Sequence, residues 1–419
     1  MGTLFDSGAL PEHARLIARD DIWIEGEAVA QFARVAGLPG CVRAAAMPDL
    51  HPGRGIPVGA AFAFADVVHP ALIGGDAGCG ARVVVTDVAP SSRDAIERRV
   101  RAGLDEDPLA DVDAAALLAA VWTRGVRGLC DLDGVPEALA RLADAEADDA
   151  QGDALPPSGE LAHYRGLPGG LVGSIGGGNH FVELAIVDEL RDAEGAAALG
   201  LTRGQLVVVA HSGSRGLGGL LAQRWSTHGD ALAGARRDEY LGELAGACRV
   251  ARANRFVLAF RLLRAVGAAR PSKIMGSFDV IHNHVSEERS GVDGKLAWVH
   301  RKGAAPAQLG QPTIVLGSRG ARSWILRGQG AAGGLASVAH GAGRRMGRGE
   351  ARAKLKARYT RKELQRTELG GRVVCDDPDL LYEEHPDVYK PIAPIIDVLV
   401  EAGLAQPIAS LCPVVTVKR

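Results

Sequence analysis

Four short strings each set a residue able to bind a metal beside an apolar segment of strand composition, and three of them lie in runs of glycine. They are Gly74-Gly75-Asp76-Ala77-Gly78-Cys79-Gly80, Gly176-Gly177-Gly178-Asn179-His180-Phe181-Val182-Glu183, His211-Ser212-Gly213-Ser214-Arg215-Gly216 and His282-Asn283-His284. Glycine lets the backbone turn sharply and approach a ligand closely. The 55 glycines of the 419 residues do not recur at every third position, which excludes a collagen-like rod. The pattern instead predicts many strands joined by tight loops whose ends converge. Aspartate, cysteine and histidine together suit a divalent transition metal such as manganese or zinc better than magnesium or calcium alone. A thiolate can also bridge two ions. Taken singly, each histidine fits a satisfied structural residue and the cysteine fits a turn. Four such sites at strand ends favour the metal.

A second group of strings has the look of a nucleotide pocket. Gly317-Ser318-Arg319-Gly320 follows a strand, with Ser323 just beyond, and His340-Gly341-Ala342-Gly343-Arg344 is expected to open a basic helix. Backbone amides at glycine turns and helix N-termini bind phosphate. Neither string is a Walker loop or a dinucleotide fingerprint, which disfavours those two classes. His340 can serve as a nucleophile toward phosphorus or simply cap the helix. A third string, Met47-Pro48-Asp49-Leu50-His51-Pro52-Gly53-Arg54, offers Asp49, His51 and Arg54 on a rigid loop, either to a phosphate or to its own backbone.

Periodicity predicts a short strand and then a helix within 14–36, strands and tight loops over 41–68, and a strand at Ala81–Asp87. Helices with an acidic surface follow over 89–150, and a Pro-containing loop at 152–170. Further on come a strand and helix within 202–234, an amphipathic helix at Arg249–Val266 and strands at Leu296–Val299 and Thr313–Leu316. A basic helix at Ala351–Leu364 and a helix at Pro394–Ala402 complete the reading. No internal repeat or long linker divides the chain. The expectation is a single large α+β domain over 1–419, with an acidic helical insertion and loop at 89–170.

The formal net charge of -2 makes no whole-chain case for nucleic acid, but the charges are segregated. Residues 105–160 hold fourteen acids against three arginines. Seven basic residues and no acids lie between Arg249 and Lys273, and ten basic residues against two acids between Arg344 and Arg366. Either basic stretch is a candidate for tracking a phosphate backbone or a plain solvated helix face. The six cysteines form no CxxC pair, which argues against a zinc ribbon or a disulfide framework. No apolar run approaches the length of a membrane span. A cytoplasmic protein, with no membrane partner and monomeric, is the expectation.

Taken together and in order, GGDAGCG, GGGNHFVEL, HSGSRGLG, HNHV, HRKGA, LGSRGARS and HGAGRRMGR resemble the RtcB family of RNA ligases over nearly the whole chain. The segments Trp23–Ala28 and Ala46–Ala60, with GSRG where GSMG is more usual, look closer to the branch that accompanies peptide chain release factor H. That branch is associated with repair of damaged ribosomal RNA. The resemblance implies an RtcB-like fold of glycine-rich mixed sheets with flanking helices. It implies a ligase dependent on GTP and two manganese ions, joining RNA 3′-phosphate or 2′,3′-cyclic phosphate ends to 5′-hydroxyl ends. By motif, Cys79 would bridge the metals, with Asp76 and His180 completing one site and His211 and His282 the other. His340 matches the nucleophile that forms a histidine–GMP intermediate. Asn179, His180, Phe181, Val182, Glu183, His282, Asn283, Leu316, Gly317, Ser318, Arg319, Ser323, His340, Gly341, Ala342, Gly343 and Lys418 match guanylate-binding positions. Asp49 is a candidate catalytic residue, touching the RNA end or acting as a base, and ribosome or ribosomal RNA is a candidate partner. Three departures bear on the base contacts: Arg319 and Arg322 stand where the family usually has Met and a small residue, and Leu316 where Pro is common. Two other readings remain at this point: a metal-dependent phosphoesterase acting on RNA ends without ligation, and a non-catalytic RNA-binding factor.

Overall fold

A computed structural model describes residues 10–104, 106–146, 171–226, 230–289 and 294–419. Short β-branched and alanine-rich segments separated by glycine turns form two large sheets and one small one. The first sheet runs β1 (Ala14–Leu16), β2 (Cys41–His51), β3 (Val58–Phe64), β9 (Leu296–Lys302) and β8 (Asn283–Arg289). The second runs β11 (Pro312–Val315), β12 (Ser323–Gly328), β15 (Ala405–Lys418), β5 (Phe181–Leu190), β6 (Leu206–Ser212), β4 (Gly80–Thr86) and β7 (Ile274–Ile281). β14 (Arg372–Cys375) pairs with the last residues of β15, beyond the stretch that β12 covers. β10 (Ala304–Pro306) and β13 (Ser337–Ala339) make the small sheet.

Ten α-helices flank the sheets among the described residues: α1 (Gly26–Ala36), α2 (Arg93–Leu104), α3 (Ala114–Arg124), α4 (Glu137–Asp144), α5 (Ala193–Ala198), α6 (Gly216–Trp225), α7 (Gly234–Ala265), α8 (Arg348–Lys356), α9 (Pro378–Glu383) and α10 (Ile392–Glu401). α1 lays Phe32 against Phe62 of the first sheet. The acidic insertion, as far as it is described, is α2–α4. These helices bury Ile96, Trp122 and Leu139 in one core with α7 and the second sheet, so the insertion is not a separate body. The loop expected at 152–170 lies outside the described residues. Within them, no helix is long and apolar enough to cross a membrane.

Three expectations need correction. The helix at Arg249–Val266 is the second half of the 32-residue α7, and it is not amphipathic. It is buried nearly all round, Arg249, Asn254 and Arg255 included, because it lies between two packed layers. Its arginines bond inside the protein. Arg249 donates to the Trp122 carbonyl, Arg255 pairs with Asp279, and Arg261 donates to Gly173 O. These three arginines therefore offer no basic track. The basic helix ends at Lys356, not Leu364, and its Arg348, Arg352 and Lys356 face the acids of residues 379–384. His340 does not open it: seven residues lie between His340, just after β13, and Arg348 at its start.

Candidate active site

The second sheet builds one half of the site. β5, β6, β4 and β7 are consecutive and antiparallel, and their register aligns Phe181 with His211, His211 with Ala81, and Ala81 with Val280. The alternation of strand direction brings the start of β4, the start of β5, the end of β6 and the end of β7 to one edge. Cys79, His180, His211 and His282 sit in that row. The loop before β4 needs a left-handed turn at Gly78, whose φ is +75°. A Cβ there would also lie 2.9 Å from the Ala251 Cβ, so the turn packs directly on α7.

The donor atoms converge. Cys79 Sγ is 3.4 Å from His180 Nε2 and 3.5 Å from His211 Nε2, and His211 Nε2 is 3.4 Å from His282 Nε2. Asp76 Oδ2 is 2.9 Å from His180 Nε2. Ligands about 2.1 Å from a tetrahedral centre lie about 3.4 Å apart, so these spacings fit cation coordination. The cysteine is central, within reach of both an Asp76–His180 pair and a His211–His282 pair. His211 Nδ1 faces the Asn179 carbonyl at 3.3 Å, which places its proton there and leaves Nε2 with a lone pair. His180 differs, because Arg215 donates to its Nδ1 at 2.9 Å. Its proton is then on Nε2, toward Asp76, and Nε2 becomes a ligand only when Arg215 releases Nδ1.

Burial sets the electrostatics. It holds His211 and His282 well below the ordinary imidazole value, with neighbouring histidines adding to the effect, so both are neutral. Burial and then the Asp76 carboxylate push the Cys79 thiol well up. Asp76 itself is held at about 2: burial, the largest single influence, raises it, but the hydrogen bond and charge of His180, with Cys79 and His211, together outweigh burial. A bound cation would displace the thiol proton. Behind the row, Arg255 of α7 makes four bonds: Nε and Nη2 to Asp279 at 2.8 and 2.6 Å, and Nη1 to the Gly78 and Ser212 carbonyls at 2.7 and 2.8 Å. It ties the loop before β4 to the end of β6. Asn283 ties the same loop to the first sheet: Nδ2 donates to Asp76 O at 3.1 Å and Oδ1 accepts from Gly303 N at 2.8 Å.

The first sheet and β13 bring the facing half. His340 follows β13, and its ring meets that of His282 edge-on at 4.9 Å. Asp49 of β2 is wholly buried, and its Oδ2 lies 2.7 Å from His340 Nδ1. Lys390 Nζ donates to the carbonyls on either side of Asp49, Pro48 O at 3.0 Å and Leu50 O at 2.8 Å, and its backbone N donates to Gly343 O. Gly343 has φ +71°, and a Cβ would fall 2.2 Å from Asp49 O. The histidine and aspartate segments are thus locked against each other. His51 also packs beside His340, and burial lowers it to about 4, so it is neutral.

Between the halves lies a cavity of about 490 Å³, within the range usual for small-ligand sites. Asp76, Cys79, His211 and His282 line it, and so do Asn179, Phe181, Asn283, Leu316, Gly317, Ser318, Arg319, His340, Gly341, Ala342, Gly343 and Lys418. Five residues expected at the site do not line it: Asp49, His180, Val182, Glu183 and Ser323. Val182 is core. The Ser323 hydroxyl accepts from Gly317 N at 3.0 Å and so shapes the turn. Glu183 is buried beneath, takes a hydrogen bond from the Thr416 hydroxyl and is pushed up to about 8 by burial. Asp49 lies behind His340, bonded to its Nδ1, and does not line the cavity. Arg322 turns away and pairs with Asp188.

Lys302, Glu384 and Tyr389 are among the lining residues that had no assigned role in the sequence reading. Lys302 lies beside Asp76 and Cys79. Glu384, Tyr389 and Arg344 form a partly buried network, with Arg344 Nη1 donating to Glu384 at 2.9 Å and the Tyr389 hydroxyl to the same carboxylate. Lys302 stands inside the HRKGA string, so a signal existed for it. The other pairing joins residues 40 to 45 apart and leaves no local pattern.

Residues 31–419 match the family described as tRNA-splicing ligase RtcB. The RNA-splicing ligase RtcB2 of Escherichia coli is 39% identical over 413 residues, covering 96% of this chain and 95% of the relative. The RNA-splicing ligase RtcB of Mycobacterium tuberculosis is 32% identical over 445 residues, covering 93% of this chain and 100% of the relative. An RNA-splicing ligase RtcB homolog 1 from Entamoeba dispar is 29% identical, covering 93% and 81%.

Proposed function

The chain belongs to the RtcB family of tRNA-splicing ligases, and from that premise we propose that it joins RNA 3′-phosphate or 2′,3′-cyclic phosphate ends to 5′-hydroxyl ends through a guanylylated His340. The observation that carries the nucleophile is the Asp49–His340 contact of 2.7 Å, buried on the aspartate side. A carboxylate on Nδ1 holds the ring proton there and leaves the Nε2 lone pair for attack. Asp76, Cys79, His180, His211 and His282 would together hold the two manganese ions. Bound metal would neutralise phosphate charge at the reacting end of the nucleotide.

In the first step His340 Nε2 bonds to the α-phosphorus of GTP, the bond to the β-phosphate oxygen breaks, and pyrophosphate leaves. Asp49 stabilises the positive charge that develops on the ring. In the second, an oxygen of the RNA 3′-phosphate attacks the same phosphorus and the P–N bond breaks, which returns neutral His340 and caps the RNA end with GMP. In the third, the 5′-hydroxyl oxygen attacks the RNA phosphorus, GMP departs and the hydroxyl proton is lost. A cyclic end is opened by water before the second step. Lys302, Lys418, Arg344 and Arg348 supply cationic charge around the cavity. The resemblance of Trp23–Ala28 and Ala46–Ala60 described above is what points this reading to RNA repair, with ribosomal RNA the candidate substrate and the cytoplasm its place of action.

The test is incubation with manganese and α-phosphate-labelled GTP, wild type beside His340→Ala, followed by a denaturing gel. The reading expects an acid-labile label on wild type alone, and ligation of a 3′-phosphate RNA to a 5′-hydroxyl RNA by wild type alone. Equal processing of RNA ends by both proteins would overturn it in favour of a phosphoesterase.

A further inference from the structure

Arg319 lies in the turn between β11 and β12, lines the cavity and is only 6% exposed. Nη2 donates to the Leu381 carbonyl at 2.8 Å. Nη1 is buried and has no hydrogen-bond partner among the described residues. Nor does any carboxylate pair with Arg319 there. The nearby Glu384 is already engaged by Arg344 and the Tyr389 hydroxyl. A buried guanidinium with an unmet donor is costly, and a ligand that supplies an acceptor removes the cost.

Position decides which part of a ligand that is. The side chain sits with Cys375, Glu384 and Tyr389, and none of the Asp76, Cys79, His211 and His282 donors is among its electrostatic neighbours. The phosphates of a nucleotide that reacts at His340 belong with that donor set and Lys302, so the base reaches the Arg319 end. Burial lowers Arg319 to about 10, which leaves it a cation at neutral pH.

We propose that Arg319 is a specificity-determining residue that donates to the O6 and N7 edge of guanine and so selects guanine over adenine. The proposal rests on the nucleotide reading above. Guanine presents two acceptors on that edge, whereas adenine presents N7 beside an amino donor. Adenine would set a donor against the guanidinium and leave Nη1 unmet.

The test measures labelling of His340 by α-phosphate-labelled GTP, ITP, ATP and 2-aminopurine riboside triphosphate. ITP keeps O6 and lacks the 2-amino group, and the 2-aminopurine nucleotide has the reverse. Wild type is expected to use GTP and ITP well and the other two poorly. In Arg319→Met, kcat/KM for GTP should fall about 5- to 150-fold with ATP unchanged, the range of one bidentate guanine contact. Arg319→Lys should recover part of the loss. The analogue series uses the unaltered protein, so it decides the matter even where a variant does not fold. Two results overturn the proposal alone: wild type using the 2-aminopurine nucleotide as well as GTP, or a folded Arg319→Met keeping the wild-type preference for GTP over ATP. Wild type labelled by none of the four overturns the nucleotide reading and this proposal with it.

Discussion

At the scale of single residues, the site turns on which nitrogen of His340 carries the proton. Asp49 Oδ2 fixes that choice from 2.7 Å, and its Oδ1 has no partner among the described residues. An amide in its place can donate to Nδ1, which would move the ring proton to Nε2 and block attack. Asp49→Asn should therefore fold normally, yet guanylylate His340 slower by on the order of 10²-fold or more in a single-turnover labelling assay. An unchanged rate would take Asp49 out of the reaction. The residue types at this site were legible in the strings that carry them, because histidine, cysteine and aspartate among glycines have few other uses. The roles were less so. Asp49 reads equally well as a contact to RNA, since nothing in Met47–Gly53 shows that residue 340 folds onto it. Arg319 reads as a rim charge seeking an acid or an RNA phosphate. In the fold it is buried and bonded to a carbonyl, because α9 closes over the turn that carries it.

At the scale of elements, α7 is the scaffold of the metal half. Arg255 reaches from it to two carbonyls of the ligand-bearing edge and to Asp279. Lysine cannot reproduce that fork. Arg255→Lys should lower the melting temperature by the equivalent of about 3–5 kcal/mol, the cost of breaking a buried pair. It should also weaken manganese binding, because Gly78 O and Ser212 O lose their common anchor. Thermal unfolding and a metal titration check the two halves of that expectation. Most strands and helices were legible from periodicity and turn residues. The burial of α7 was not, because arginines at helical spacing look the same whether they face water or distant partners. Asp279 lies 24 residues from Arg255, and Gly78 lies 177 away. The charges of α8 misled in the same way, since Arg348, Arg352 and Lys356 find their partners among residues 379–384 on and just after α9. The glycines after His340 also gave a false helix start. They serve a close approach of two strand ends, with Gly343 against Asp49, and the helix begins only at Arg348.

At the scale of the whole molecule, catalysis needs two sheets to meet. One edge of the second sheet presents the candidate metal-binding row, the first sheet and β13 present Asp49 and His340, and Asn283 pins the halves together. Because the row exists only in the folded chain, metal binding and folding are linked. Manganese at about 100 times its dissociation constant should stabilise wild type by about 2.7 kcal/mol, and chelation should abolish the gain. In Cys79→Ser the melting temperature should barely respond to either treatment, as calorimetry would show. An equal response would mean that the ion binds elsewhere. The same arrangement governs the order of events during synthesis. The candidate ligands span residues 76 to 282 and are brought level only by four neighbouring strands, the last of which ends at Ile281. A ribosome that has released only the first two hundred residues therefore exposes no complete coordination row. Metal choice falls to the folded protein and the ions around it, not to the order in which the ligands emerge.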